Sequence, residues 1–246
     1  MIAIKSDQEN SRAVKLSGKL NFPLETDLTE TPDLLLGWHE EKLALFPKDS
    51  GPVFIDFVAG KLAHRRQFGG GKKQPLARAI GLSSKRTPNV IDATAGMGRD
   101  SFVLASLGCK VQMIERSPVV AAMLEDALDR ARQDASVCEI AARLSVICAD
   151  ASDYLVEAQI EDVIYLDPMY PEKRKSAAVK KDMRALQMLV GSDQDSQELL
   201  KIALQEAKHR VVVKRPKQAD PLDGQQPNTA ISSPNTRYDI YSIKAF

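Results

Sequence analysis

The stretch Val90-Ile91-Asp92-Ala93-Thr94-Ala95-Gly96-Met97-Gly98-Arg99-Asp100 reads as a buried strand running into a glycine turn and then a helix. Gly96 and Gly98 would let the main chain approach a bound molecule closely, and a helix starting near Arg99 would offer it unpaired N–H groups. From Asn89 onward the alternation of strand and helix is regular. Strands are predicted at Lys110–Glu115, Leu144–Cys148, Asp162–Asp167 and Arg210–Lys214, and helices at Arg99–Leu107 and Ser196–Lys208. Another helix starts after Ser117-Pro118, a good N-cap followed by proline at the first helical position, with Val119, Ala122, Met123 and Ala127 at helical spacing. A short strand near Ala230-Ile231 and a last one at Arg237–Ile243 would close an antiparallel hairpin. Such alternation predicts a doubly wound, mostly parallel sheet.

Residues 1–60 have a different texture. Short apolar runs at Leu34–His39, Leu43–Phe46 and Val53–Phe57, joined by turns such as Lys48-Asp49-Ser50-Gly51-Pro52, predict a small β-rich lobe of antiparallel strands. Residues 61–88 form a basic, glycine-rich linker with a short helix at Leu76–Ile80, and 89–246 form the main domain. No apolar run approaches the ~18 residues of a membrane span, and the first residues lack the apolar core of a signal peptide, so the expected compartment is the cytoplasm, with no membrane partner. Cys109, Cys138 and Cys148 have no metal-binding spacing and are expected to be buried small hydrophobes, and no metal is expected.

The net charge of +1 hides a segregation. Residues 61–89 carry eight basic residues and no acidic one, and 172–217 carry twelve against six, whereas 90–171 carry six against fourteen. Two basic segments flanking an acidic one suit a polyanionic partner if both fold towards one face. Arg65, Arg66, Lys72, Lys73, Lys173, Lys175, Lys180, Lys181 and Arg184 are the candidate phosphate contacts, which position nucleic acid without reading its sequence.

In a doubly wound sheet, ligands lie outside the carboxyl ends of the strands. Four strand ends here are acidic: Asp92, Glu115, Asp150 and Asp167. Ser101 stands where a third glycine would complete a dinucleotide-binding G-x-G-x-x-G, which disfavours a nicotinamide cofactor and leaves the D-x-x-x-G-x-G turn of S-adenosylmethionine sites. Glu115 is placed to accept both ribose hydroxyls, Asp150 to meet the adenine amino group, and Arg99 and Asp100 to face the methionine end. Asp167-Pro168-Met169-Tyr170 resembles the D-P-P-Y/F motif of methyltransferases acting on exocyclic amines. Acceptors at Asp167 and a backbone carbonyl would localise the amine lone pair as attack begins, and Tyr170 would stack on the base. These residues leave open an amine on adenine or on a protein glutamine, and also a catalytically silent RNA-binding protein.

With Glu115-Arg116-Ser117-Pro118, Lys180-Lys181-Asp182-Met183-Arg184, Val211-Val212-Val213-Lys214-Arg215-Pro216 and His64-Arg65-Arg66-Gln67-Phe68-Gly69-Gly70-Gly71 added, the sequence resembles the ribosomal RNA small subunit methyltransferase J family from about Asp56 onward. The resemblance implies a class I S-adenosylmethionine-dependent methyltransferase fold with a seven-stranded sheet. It also implies methylation of the N2 amine of a guanosine in 16S ribosomal RNA, and cofactor contacts at Arg99-Asp100, Glu115-Arg116, Asp150-Ala151 and Asp167.

Overall fold

The computed structural model describes residues 1–6, 11–59, 71–157, 161–169, 181–190 and 195–246, with the backbone alone over 181–184. The N-terminal part builds a four-stranded sheet from β1 (Ile2–Ile4), β2 (Leu34–His39), β3 (Lys42–Pro47) and β4 (Val53–Phe54). β2 and β3 pair antiparallel across Glu40-Glu41, a two-residue connection in which both residues take positive φ, as such tight hairpins require. Two features differ from the expected antiparallel lobe. β1 joins β2 in parallel, and helix α1 (Ser11–Leu20) lies between them in the chain. That helix buries Ala13 and Leu16 and packs Leu20 on the core, a helical spacing that the expectation of strands alone over residues 1–60 does not accommodate.

The main sheet contains β5 (Val90–Asp92), β6 (Val111–Glu115), β7 (Leu144–Cys148), β8 (Val163–Leu166), β9 (Arg210–Pro216), β10 (Thr229–Ser232) and β11 (Thr236–Ser242). Its order is β10-β11-β9-β8-β5-β6-β7, parallel from β9 through β7 and antiparallel at β11 and β10. The parallel strands and the hairpin lie where sequence alternation puts them. The helices are α2 (Pro75–Ala79), α3 (Arg99–Ser106), α4 (Pro118–Gln133), α5 (Cys138–Ala141), α6 (Ala151–Glu157), α7 (Lys181–Val190) and α8 (Ser196–Glu206). Ser117 caps α4 as expected, its Oγ accepting from the Val120 amide at 3.4 Å.

Period-two alternation sends successive strand residues to opposite faces of the sheet. Ile91, Ile114, Ile164, Val211 and Val213 bury against Leu155, Leu199 and Leu200 on one face. Val90, Met113, Tyr165 and Val212 join a second cluster that also takes in Ile4, Leu36, Leu45 and Phe57, so the small sheet shares a core with the large one. Phe57 stacks on Phe102 with ring centroids 4.9 Å apart, and Arg130 of α4 donates to the Ile55 carbonyl at 2.6 Å. The cysteine expectation holds at Cys109 only. Cys138, the first residue of α5, is half-buried, and Cys148, the last residue of the edge strand β7, is exposed.

Candidate active site

The chain reverses its direction of winding at β5: β6 and β7 lie to one side of it, β8 and β9 to the other. Outside the carboxyl ends of these strands opens a cleft of about 580 Å³, within the range of small-molecule sites.

One wall is the glycine turn. Asp92 ends β5 and is 2% exposed; it accepts from the Thr94 amide at 3.2 Å and from the Ser101 hydroxyl at 2.5 Å. Burial pushes its pKa up to about 7, against the lowering effect of those two hydrogen bonds and with help from Asp100 and Asp167. Gly96 and Gly98 both take positive φ, +52° and +65°, but they do different work. A Cβ on Gly96 would meet nothing nearer than the Thr94 carbonyl oxygen at 4.0 Å, and Gly96 lines the cleft. A Cβ on Gly98 would lie 2.9 Å from Leu124, 3.1 Å from Phe57 and 3.2 Å from Met113, inside the core. Of the two glycines expected to let a ligand approach closely, Gly96 is therefore the one with open space at the cleft. Gly98 instead lets the turn pack onto the sheet.

Glu115 ends β6 at 7% exposure, accepting from the Gly96 amide at 3.0 Å and the Ser117 amide at 2.8 Å. Main-chain donors thus hold its carboxylate against the turn. Arg116 reaches Asp195, the residue before α8, at 2.8 Å. Asp150 accepts from the Ser152 amide at 2.8 Å and so caps α6, whose first residue is Ala151; both line the cleft.

The opposite wall rests on charge. Asp167 follows β8, its amide donating to Thr94 Oγ1 at 2.6 Å and its Oδ2 accepting from Lys214 Nζ at 2.7 Å. Lys214 also donates to Asp100 at 2.9 Å, and Asp100 accepts from the Tyr165 hydroxyl at 2.8 Å. Asp100, at 9% exposure, is thus more than a residue placed near a helix start for its charge. Burial works against the Lys214 charge, but Asp167 and Asp100 outweigh it and raise its pKa above the ordinary lysine value. Burial, then Asp100 and Asp167, raises that of Tyr165. Arg99, Pro168 and Met169 complete this part of the lining.

A family model for S-adenosylmethionine-dependent methyltransferases matches residues 19–243. A ribosomal RNA small subunit methyltransferase J from Hydrogenovibrio crunogenus is 57% identical over 95% of this chain and 91% of its own length. One of the same name from Thioalkalivibrio sulfidiphilus is 48% identical over 98% and 96%. The chain belongs to the ribosomal RNA small subunit methyltransferase J family. The crystal structure of an S-adenosylmethionine-dependent methyltransferase from Neisseria gonorrhoeae, 32% identical, superposes with a TM-score of 0.76 over 100% of this chain and 97% of that one. The chain is accordingly a class I methyltransferase, with S-adenosylmethionine as its methyl donor.

In this methyltransferase the candidate residues Gly96, Arg99, Asp100, Glu115, Arg116, Asp150, Ala151, Asp167 and Pro168 all meet at one cleft. Lys72 and Lys73 are exposed on the single turn Gly71–Lys73, away from the cleft lining. Lys181 and Arg184 lie on α7, and Tyr170, Arg65, Arg66, Lys173, Lys175 and Lys180 fall outside the described residues. Sequence reasoning missed the Lys214 bridge and the Thr94 hydroxyl. A lysine closing the run Val211-Val212-Val213 was a visible signal, since a cation at the end of a buried strand needs a partner. Among the described residues no group of three or more His, Cys, Asp or Glu side chains could hold a metal, and no helix is long and apolar enough to cross a membrane.

Proposed function

We propose that the cleft transfers the methyl group of S-adenosylmethionine to the exocyclic N2 amine of a guanosine in 16S ribosomal RNA of the small subunit, in the cytoplasm. The observation that carries this reading is the placement of Asp167. A carboxylate anchored through its own amide and through Lys214 stands at the cleft, one strand away from the glycine turn.

The residues fit the cofactor. Gly96 leaves room for a ligand against the main chain, Glu115 already points its carboxylate into the cleft wall, and Asp150 sits at the far end of it. Glu115 is assigned to the ribose hydroxyls, Asp150-Ala151 to the adenine, and Arg99, Asp100 and Arg116 to the polar groups around them. When bound, the cofactor supplies an electrophilic methyl on a sulfonium, the S–C bond breaking with its electron pair kept on sulfur. The protein's part is to hold the target. Asp167 accepts from the N2 amine, drawing its lone pair out of the ring as the N–C bond forms, and the proton lost from nitrogen leaves through this carboxylate to water. Pro168 shapes the backbone beside it, and Tyr170 is assigned to stack on the extruded base. Holding nitrogen and methyl within reach of each other supplies the entropic part of the acceleration.

The names of the relatives support a ribosomal RNA substrate, and so do the basic segments, of which Lys72 and Lys73 are exposed. Arg65, Arg66, Lys173, Lys175, Lys180, Lys181 and Arg184 are assigned to phosphates with them. The reading is tested by incubating small subunits from a strain lacking the activity with the protein and S-adenosylmethionine, then mapping modified nucleosides by mass. N2-methylguanosine in 16S RNA is the expected product. Methyladenosine, or label in ribosomal protein only, would overturn it.

A further inference from the structure

We infer that Lys214 is a positioning residue for methyl transfer, a side chain that links the cofactor wall to the acceptor wall and holds Asp167 as an oriented carboxylate. The inference rests on the reading of Asp167 as the amine acceptor.

Lys214 follows three fully buried valines on β9, so the strand delivers its ammonium to the floor of the cleft. Desolvating a lysine there is unfavourable unless it is paired, and it is paired twice. A buried counter-ion for Asp100 alone would need only the 2.9 Å contact. The shorter contact, 2.7 Å, goes to Asp167, whose side chain is 38% exposed and could reach water without help. Lys214 therefore gives a half-exposed carboxylate a charged partner at a fixed place on the sheet. Its two partners also belong to different walls, Asp100 on α3 just after the glycine turn and Asp167 just after β8. A shift of either is felt by the other through one ammonium.

The remaining titratable groups at this point are Asp92 at the end of β5, Tyr165 on β8 and Tyr238, which pairs with Lys214 across β11. Arg99 and Arg215 line the same cleft. Lys214 is the cation that hydrogen-bonds both Asp100 and Asp167, so its loss leaves three neighbouring carboxylates, Asp92, Asp100 and Asp167, without that shared ammonium. Protonation then comes at higher pH, and an Asp167 that must be ionised to act loses function as pH falls through the new value.

The test is the single-turnover rate of methyl transfer to unmodified small subunits, at saturating cofactor and subunit, followed from acid to alkaline pH. In Lys214→Met the acid limb of the rate should move up by about one to three pH units, the usual effect of removing an adjacent opposite charge. Subunit affinity should stay within about threefold of the parent, because phosphate contacts dominate it. Lys214→Arg, which keeps the cation, should return the limb towards its parental position. Should Lys214→Met fold poorly, the double variant Lys214→Met with Asp100→Asn removes one carboxylate along with the cation and is expected to show an upward shift in the same direction but smaller, since one like charge is gone as well. A lowered rate with an unmoved limb in either folded variant would reduce Lys214 to a structural ion pair and overturn the inference. A parent protein that transfers no methyl group would instead overturn the functional reading beneath it.

Discussion

The two walls of the cleft are both acidic, yet they are held by opposite means. On the glycine-turn wall, Glu115 and Asp150 accept from main-chain amides, of Gly96 and Ser117 in one case and Ser152 in the other. On the opposite wall, Asp167 is held by the ammonium of Lys214, which also reaches across to Asp100 beside the glycine turn. Amides belong to the fold itself and hold a carboxylate by main-chain geometry. An ion pair depends on one side chain and on its protonation. The glycine-turn wall is thereby tied to the main chain, and the wall at Asp167 is the one that a side-chain substitution or pH would retune.

The sharpest way to break the comparison is to deform the main chain of the first wall. Gly98→Val places a branched side chain against Leu124, Phe57 and Met113 at positive φ, and should lower stability by about 3 kcal/mol or more, from overpacking and backbone strain together. Gly96→Ala meets open space and should lose only about 1 kcal/mol to its left-handed conformation. Its stronger effect should be on cofactor affinity. Denaturant unfolding and calorimetry on the pair check this, and equal destabilisation would remove the distinction between the two glycines.

Next in size is the pH response of Asp92, which lies beneath both walls. Its folded pKa, about 7, is raised above the ordinary carboxylate value of 3.8, so it contributes stability that is fully present below the unfolded value and lost as pH rises through about 7. Between pH 5 and pH 8 the free protein should lose roughly 2 kcal/mol from this group. Asp92→Asn should flatten that slope. Asp56, whose pKa is lowered by amide hydrogen bonds and Lys42 in spite of burial, works in the opposite sense, and only below the ordinary carboxylate range. Unfolding curves that keep the same slope in Asp92→Asn would assign the loss elsewhere.

The smallest of the three is Glu115→Ala, expected to weaken cofactor binding by about 1–2 kcal/mol, the scale of charge-assisted hydrogen bonds, with little change in RNA affinity. Unchanged cofactor affinity in calorimetry would mean that Glu115 serves the turn and not the ligand.

Much of this arrangement was legible in the chain. The strands β5 to β9 are short apolar runs bounded by turn residues, and a parallel sheet covered on both faces reads that way wherever it occurs. Acidic strand ends pointed to the cleft for the same reason. What stayed hidden depends on three-dimensional packing. Nothing in G-M-G tells which glycine lines the cleft; that follows from where Phe57, about forty residues upstream, packs beneath Gly98 and meets Phe102. Nor does Asp100 announce its pairing, since Lys214 lies 114 residues away and Tyr165 lies 65 away. Helix α1, by contrast, was legible, since Ala13, Leu16 and Leu20 recur at helical spacing and pack on the core.

The most direct measurement compares the parent with Asp167→Ala on unmodified small subunits, after separate titrations of S-adenosylmethionine and of subunits with each protein. The expected result is that the parent forms N2-methylguanosine while the variant binds RNA within a few-fold of the parental affinity and transfers methyl at least about a hundredfold more slowly, the scale of losing one preorganised transition-state contact. A variant that binds both partners and methylates at the parental rate would contradict the account, leaving Asp167-Pro168-Met169-Tyr170 as a turn that ends a strand.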